Sequence, residues 1–278
     1  MRRPQSFIAF ILCCFLAFLL SPETFAAKKT KKKPYAFTAR SAILSDSTKV
    51  KRLYGKNVNL KVAPASTTKV MTALLVLEKL PLDKVVTVSR HATSVAPSKA
   101  GLAVGERYKV SELLYASLMQ SANDASVALA EAVAGSESAF VTMMNKRAKQ
   151  LGATRTKFVN PHGLPTKTSQ YTTAYDIYLI FREALKHHFF KKALQYKKKM
   201  IVSESGRTIH LRSFNKLLSK GWKTTVYGKT GYTKKAKYCF VGYLTNGNST
   251  LIVAVFGCTK RWQDIQHLLT KYGKIKLF

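Results

Sequence analysis

The spacing of apolar residues changes from one region of this chain to the next, and each change marks an expected boundary. The first stretch is an unbroken apolar run from Phe7 to Leu20, preceded by Arg2 and Arg3 and followed by small residues at Ala26 and Ala27. Positive, then apolar, then small is the layout of a secretory signal peptide. The run is shorter than the roughly twenty residues a membrane span needs, so cleavage after Ala26 is expected rather than a retained anchor. Cys13 and Cys14 lie inside the run with no small residue before them, which argues against lipid attachment.

Beyond Pro34, short apolar runs alternate with turn residues as far as Leu60, and Tyr54-Gly55-Lys56-Asn57 reads as a turn; two or three strands are expected. From Pro64 the period lengthens. Val70, Ala73, Leu74 and Leu77 fall at i, i+3, i+4 and i+7, predicting a helix from Pro64 to Lys79 with one buried face. Val85 to Arg90 is extended. Ser111 then caps a helix ending at Met119, Asn123 or Asp124 opens a second to Ala134, and Ser136 opens a third ending at Gly152. Thr173 and Asp176 form a capping-box-like pair before a helix to Lys186. Strand signals return at Met200 and Thr208 to Leu211, followed by a hairpin of Tyr238 to Leu244 and Leu251 to Gly257 around "TNGNST". Trp262, Ile265, Leu268, Leu269 and Tyr272 describe one face of a terminal helix.

Strands at both ends and helices between predict a mixed α/β (α+β) fold: a mostly antiparallel sheet flanked by helices, with an inserted helical lobe and a cleft between. No internal repeat interrupts it. The expected organisation is signal peptide 1–26, a basic disordered arm 27–34 carrying Lys28, Lys29, Lys31, Lys32 and Lys33, and a single domain 35–278.

Composition narrows the picture. With 278 residues and 46% apolar content the chain can bury one sizeable core, and wholesale disorder is excluded. The formal net charge of +34 barely changes when the first 26 residues leave, because they carry only Arg2, Arg3 and Glu23. An exported protein meets anionic membrane lipid or phosphate-bearing wall polymers, so no nucleic acid partner is expected. Cys239 and Cys258 flank the hairpin two or three residues out of register, which predicts two free thiols. The histidines show no metal-ligand spacing and no Cys-x-x-Cys pair remains, so neither metal nor cofactor is expected.

The candidate chemistry begins at "PASTTK", where Ser66 and Lys69 stand one helical turn apart. A serine hydroxyl is a poor nucleophile until a base takes its proton, and a lysine serves only if burial or a neighbouring cation holds it neutral. The pair alone is a weak signal, since Ser213, Asn215 and Lys216 repeat the spacing. The ordered set is specific: Ser66-Thr-Thr-Lys69, then Ser121-Ala-Asn123, then Lys229-Thr230-Gly231.

With "APASTTKVMTALLVLE", "NPHGLP", "KTGYT" and "CFVG", these motifs resemble the low-molecular-weight penicillin-binding proteins, the serine D-alanyl-D-alanine carboxypeptidases, from about residue 35 to the end of the chain. The resemblance implies a β-lactamase/transpeptidase-like fold and an acyl-enzyme route. Ser66 is the implied nucleophile and Lys69 its base; Ser121 and Asn123 relay a proton and hold the peptide. Lys229 and Thr230 receive the terminal carboxylate. The N–H groups of Ser66 and Tyr232 form the oxyanion hole, and Gly231 leaves room for substrate along its strand.

The implied partners are the D-Ala-D-Ala end of peptidoglycan stem peptides and β-lactam antibiotics. No glutamate between Ser121 and Lys229 has an asparagine four residues on, so the deacylating Glu-x-x-x-Asn of class A β-lactamases is missing. Ala236-Lys237 replaces the usual Ala-Gly after the last motif. Two other readings stand beside the first: a D-alanyl-D-alanine endopeptidase cutting crosslinks with the same residues, and a catalytically idle cationic wall-binding protein. His162, between Pro161 and Gly163, reads as structural rather than as a base.

Overall fold

β1 (Ser41–Asp46) and β2 (Lys51–Lys56) open the fold as an antiparallel hairpin. The structure, a computed structural model, describes residues 35–278; the expected signal peptide and basic arm lie outside the described residues. The hairpin turns at residues 47–50, not at the expected Tyr54-Gly55-Lys56-Asn57. Asp46 decides this, because its Oδ1 accepts the N–H groups of Thr48 and Lys49 at 3.0 and 3.1 Å and closes the turn locally. Tyr54 to Lys56 therefore continue the strand.

A 3-10 turn, Ala65–Thr68, leads into α1 (Lys69–Lys79), so the helix proper begins five residues after Pro64. β3 (Val85–Thr87) precedes α2 (Arg90–Ser94), capped by Ser89, whose hydroxyl accepts the Ala92 N–H. β4 (Arg107–Lys109) pairs with β3. Then come α3 (Val110–Met119), α4 (Asn123–Ala134), α5 (Glu137–Gln150), α6 (Ala174–Ala184) and α7 (His188–Gln195). Ser136 and Thr173 are caps as expected, accepting the N–H of Ala139 and Asp176. Ser111 is not; it lies inside α3, whose first residue, Val110, donates its N–H to the Lys84 carbonyl.

The chain closes with hairpin β5 (Lys198–Val202) and β6 (Thr208–Arg212), then β7 (Tyr227–Thr233), β8 (Lys237–Asn246), β9 (Ser249–Cys258) and α8 (Arg261–Lys271). The main sheet runs β2-β1-β9-β8-β7 with every neighbouring pair antiparallel, and β7 forms an edge.

Strand periodicity sorts the core into two layers. Ala42, Leu44, Phe240, Leu244, Val253 and Val255 meet Ile265, Leu268 and Leu269 of α8. Ile43, Val241, Tyr243, Ile252 and Ala254 point the other way and join the core shared with α1 and α6. Each such fully buried aliphatic side chain contributes about 1.5–3 kcal/mol.

α1 departs from the amphipathic expectation: Lys69 to Val76 are buried on every side, because α3, α4, α5 and α6 all pack around it. A helix buried all round can carry polar groups only where they have partners. Among the described residues no single helix is long and apolar enough to cross a membrane.

Cys239 and Cys258 are free and buried. The expected offset of two or three residues is smaller in the structure, since Cys258 pairs with Tyr238, the neighbour of Cys239, where the ladder shifts register. The thiols belong to opposite layers, Cys239 with the α1 core and Cys258 with the α8 core.

Candidate active site

Ser66 sits in the 3-10 turn at the head of α1, held in place by backbone rather than by its own side chain. Ala65 before it has a φ of 47°, a left-handed conformation that costs an L-residue on the order of 1–3 kcal/mol and persists only where the surroundings fix it. Two glycines do so. Gly163, from the Asn160-Pro-His-Gly-Leu-Pro165 loop, lies against the Ala65 backbone, and Gly231 of β7 approaches from another side. A Cβ on Gly231 would stand 3.1 Å from both the Ala65 Cβ and the Ser66 nitrogen. The bareness expected to accommodate substrate thus serves first to let β7 close on the serine turn.

Lys69 is fully buried, and its Nζ lies 3.3 Å from Ser66 Oγ, 2.7 Å from Asn123 Oδ1 and 2.9 Å from the His162 carbonyl oxygen. Burial, then the nearby Lys229 charge, holds its pKa well below the ordinary lysine value, and the Asp124 charge opposes them. Amide and carbonyl oxygens can only accept, so a neutral amine gives its two N–H groups to Asn123 and His162. Its lone pair is left for the Ser66 hydroxyl, which is the geometry of a base.

Asn123, the first residue of α4, is itself aimed by two bonds: its Nδ2 donates to the Ala96 carbonyl at 2.8 Å and its N–H to the Ser98 carbonyl at 2.7 Å. Ser121, in the short link between α3 and α4, has a φ of 63° and faces the same cavity. Lys229 is buried on edge strand β7, donating to the Thr230 carbonyl at 3.1 Å. Burial and then the Arg261 guanidinium lower its pKa to about 7.

These elements enclose a cavity of about 1040 Å³ whose lining includes Ser66, Ser121, Asn123, Thr230, Gly231 and Tyr232. Lys69 and Lys229 stand behind that lining, both buried. The structure thus brings all the sequence-predicted site residues to one place. Chemically the place offers a hydroxyl beside a buried amine of depressed pKa, a second hydroxyl, and basic side chains backing an edge strand.

Residues 27–260 match the profile of peptidase family S11, described as D-alanyl-D-alanine carboxypeptidase. This chain belongs to that family. The D-alanyl-D-alanine carboxypeptidase DacF of Bacillus subtilis is 38% identical over 255 residues, covering 90% of this chain and 65% of its own length. DacC of Escherichia coli is 35% identical, covering 91% of this chain and 65% of its own length. This member of the family therefore spans slightly less than two thirds of those two relatives. The D-alanyl-D-alanine endopeptidase of Pseudomonas aeruginosa is 32% identical over 82% of this chain and 75% of its own length. Among solved structures, the D-alanyl-D-alanine carboxypeptidase of Mycobacterium tuberculosis superposes with a TM-score of 0.80 at 30% identity, covering 86% of this chain and 92% of that one.

Within this family member, two polar residues absent from the sequence-based set belong to the site. Asp124 is buried and its carboxylate accepts the N–H groups of Ala100, Gly101 and Leu102 at 3.0–3.2 Å, tying down the segment that carries the Ala96 and Ser98 carbonyls. Its position next to Asn123 was the available signal. Arg261, at the start of α8, lines the cavity and donates to the carbonyls of Gly231 and Cys239 at 3.1 and 2.9 Å, while its Nε is buried without a partner. Burial lowers its pKa to about 10, so it remains charged at neutral pH. Nothing in its spacing from Lys229 marks it.

His162 behaves as a structural residue. Burial, then the charge of Lys69, lowers its pKa to about 3, and its contribution to the site is its backbone carbonyl. The repeat motif Ser213, Asn215 and Lys216 lies in the wall of the same cavity, where Asn215 caps a 3-10 turn and the Ser213 hydroxyl accepts the Asn215 N–H. Among the described residues no group of three or more His, Cys, Asp or Glu side chains is placed to hold a metal.

Proposed function

We propose that this protein is a serine-type D-alanyl-D-alanine carboxypeptidase that removes the terminal D-alanine from peptidoglycan stem peptides through an acyl-enzyme. The observation that carries this reading is the buried Lys69 amine, 3.3 Å from Ser66 Oγ and otherwise in contact with two acceptors, Asn123 Oδ1 and the His162 carbonyl oxygen. Ser66 Oγ attacks the penultimate D-alanyl carbonyl as Lys69 takes its proton. The N–H groups of Ser66 and Tyr232 bind the developing oxyanion. The tetrahedral intermediate collapses, the carbon–nitrogen bond breaks, and the proton passes from Lys69 through Ser121 to the departing amine. Asn123 holds the acyl peptide. Lys229, Thr230 and Arg261 receive the terminal carboxylate, a charge-assisted arrangement in which the Arg261 side chain lines the cavity. Water, giving its proton to Lys69, then attacks the ester carbonyl; the carbon–oxygen bond to Ser66 breaks, the proton returns to Ser66 Oγ, and the shortened peptide leaves.

A β-lactam with its carboxylate in the same place acylates Ser66 by the same first step. With no Glu-x-x-x-Asn element to activate water, the penicilloyl ester is long-lived. A peptidoglycan substrate is met in the cell envelope, and the signal-peptide layout of residues 1–26 supports that location. The basic arm and the net charge of +34 suit anionic membrane or wall polymers.

Labelled penicillin should attach to the wild type and not to Ser66→Ala; attachment to the variant, or none to the wild type, would reject the reading. The Pseudomonas aeruginosa relative, named as a D-alanyl-D-alanine endopeptidase, gives weight to a second reading in which crosslinked dimers are cut. Product analysis on a pentapeptide and on a crosslinked dimer separates the two.

A further inference from the structure

Lys198 and Arg212 face each other directly across the β5–β6 hairpin, both exposed and both lining the cavity that contains Ser66. Like charges at opposed positions of an antiparallel pair repel each other and destabilise the pairing. Other cations near this hairpin are accommodated. Lys199 lies over the Tyr115 ring at 4.4 Å, Arg207 pairs with Glu106 at 2.7 Å and Arg107 with Glu204 at 3.1 Å. Lys198 and Arg212 make no ion pair among the described residues, and neither do Lys197, Lys216 and Lys220, exposed on the same cavity wall. Among the described residues no carboxylate lines the cavity.

The terminal carboxylate of a substrate already has Lys229, Thr230 and Arg261. A second, separate set of cations on another element answers a second anionic group, and in a peptide any other carboxylate must precede the terminal D-alanyl pair. The cavity, about 1040 Å³, is at the upper end of the range for ligand pockets and larger than a dipeptide fills. Resting on the carboxypeptidase reading, we propose that Lys198 and Arg212, with Lys197, Lys216 and Lys220 behind them, form a specificity wall that selects stem peptides with free carboxylates amino-terminal to the scissile bond over the same peptides amidated there.

The test uses the full chain and two synthetic pentapeptides ending in D-alanyl-D-alanine, identical except that the carboxylates on the preceding residues are free in one and amidated in the other. At low salt the free-acid peptide should have the higher kcat/KM by about fivefold to tenfold. The ratio should fall toward one at about 1 M salt, where the screening length is about 3 Å. It should shrink in K198Q/R212Q and invert in K198E/R212E. Because the ratio is taken within each protein, a general loss of activity does not disturb it. Equal kcat/KM for the two peptides in the wild type, or a ratio that survives K198E/R212E, overturns the proposal alone. Release of D-alanine from neither peptide overturns the carboxypeptidase reading and this inference with it. An unchanged ratio accompanied by lost binding to phosphatidylglycerol vesicles assigns the pair to a membrane surface and likewise overturns it.

Discussion

Gly163 lies so close beneath Ala65 that a Cβ at position 163 would stand 1.9 Å from the Ala65 carbonyl oxygen. That contact couples the Asn160-Pro-His-Gly-Leu-Pro165 loop to the turn that presents Ser66. Gly163 also has a φ of 90°, which side chains resist. Gly163→Ala is therefore expected to lose more than about 1 kcal/mol of stability and to slow acylation on the order of 100-fold through displacement of the Ser66 turn. Urea unfolding and stopped-flow acylation by a chromogenic penicillin measure the two effects. Wild-type acylation in a destabilised variant would show that the loop supports the fold without aiming the serine.

Asp124→Asn should separate rate from pH dependence. An amide there turns N–H groups toward the Gly101 and Leu102 donors that Asp124 Oδ2 now accepts, leaving buried donors unpaired at about 1–3 kcal/mol. The Ala96 and Ser98 carbonyls that aim Asn123 loosen, and maximal acylation falls. The Asp124 charge also favours the protonated form of Lys69. Its removal pushes that pKa further down, so the acid limb of the pH–acylation profile should move to lower pH. An acid limb that stays in place would break the link between Asp124 and the Lys69 proton.

Lys229 sets the alkaline behaviour of binding. Its pKa of about 7, lowered by burial and then by Arg261, means that it loses its charge as pH rises through that value in the free protein. Affinity for a carboxylate-bearing β-lactam should fall above about pH 7, while binding below it changes little at this group. In Arg261→Gln the neighbouring cation is gone, the Lys229 pKa rises, and the decline should shift upward. Calorimetric titration at several pH values reads both.

The same buried groups shape stability. Lys229 and Lys69 have folded pKa values below the roughly 10.4 of an unfolded lysine, so above their folded values the unfolded chain binds more protons and stability rises with pH. Burial pushes the Cys239 thiol up to about 12 and raises Cys258 as well. Those thiols ionise only in the unfolded chain above about pH 8.5, which offsets the rise from the two lysines. The urea midpoint should climb from about pH 7 and level off near pH 8.5. A midpoint falling steadily across that interval would contradict the buried neutral amines.

Thiol labelling offers a direct check on the sheet. Iodoacetamide should leave Cys239 and Cys258 unmodified in the native protein and label both after denaturation, as read by peptide mass spectrometry, because both are buried and free. A disulfide joining them would require side chains from opposite layers to meet.

The long helices, the β8–β9 hairpin and the three candidate motifs were legible because each carries a local signal: a period, a cap or a fixed spacing. Ser136 and Thr173 cap as read. α2 and α7, of 5 and 8 residues, are too short to establish a period, and β4 has 3 residues. The turn at Asp46 was missed because its carboxylate competes with the apparently better turn residues at Gly55 and Asn57. Lys69 was legible as the proposed base only through the motif set. Its depressed pKa depends on α3, α4, α5 and α6 enclosing α1, which no local pattern specifies. Arg261 and the Lys198–Arg212 pairing come together only through tertiary contact.

The sheet has its own temporal logic. β1 pairs with β9, matching Ser41 to Phe256, so among the described strands the first to leave a ribosome has no central partner until more than 200 further residues have followed. Contacts of such high sequence separation slow folding and prolong exposure of apolar strands. Chains truncated before β9 should leave the β1–β2 and β7–β8 pairs unjoined, and the Ser66 turn is braced on one side only after β7 has been made.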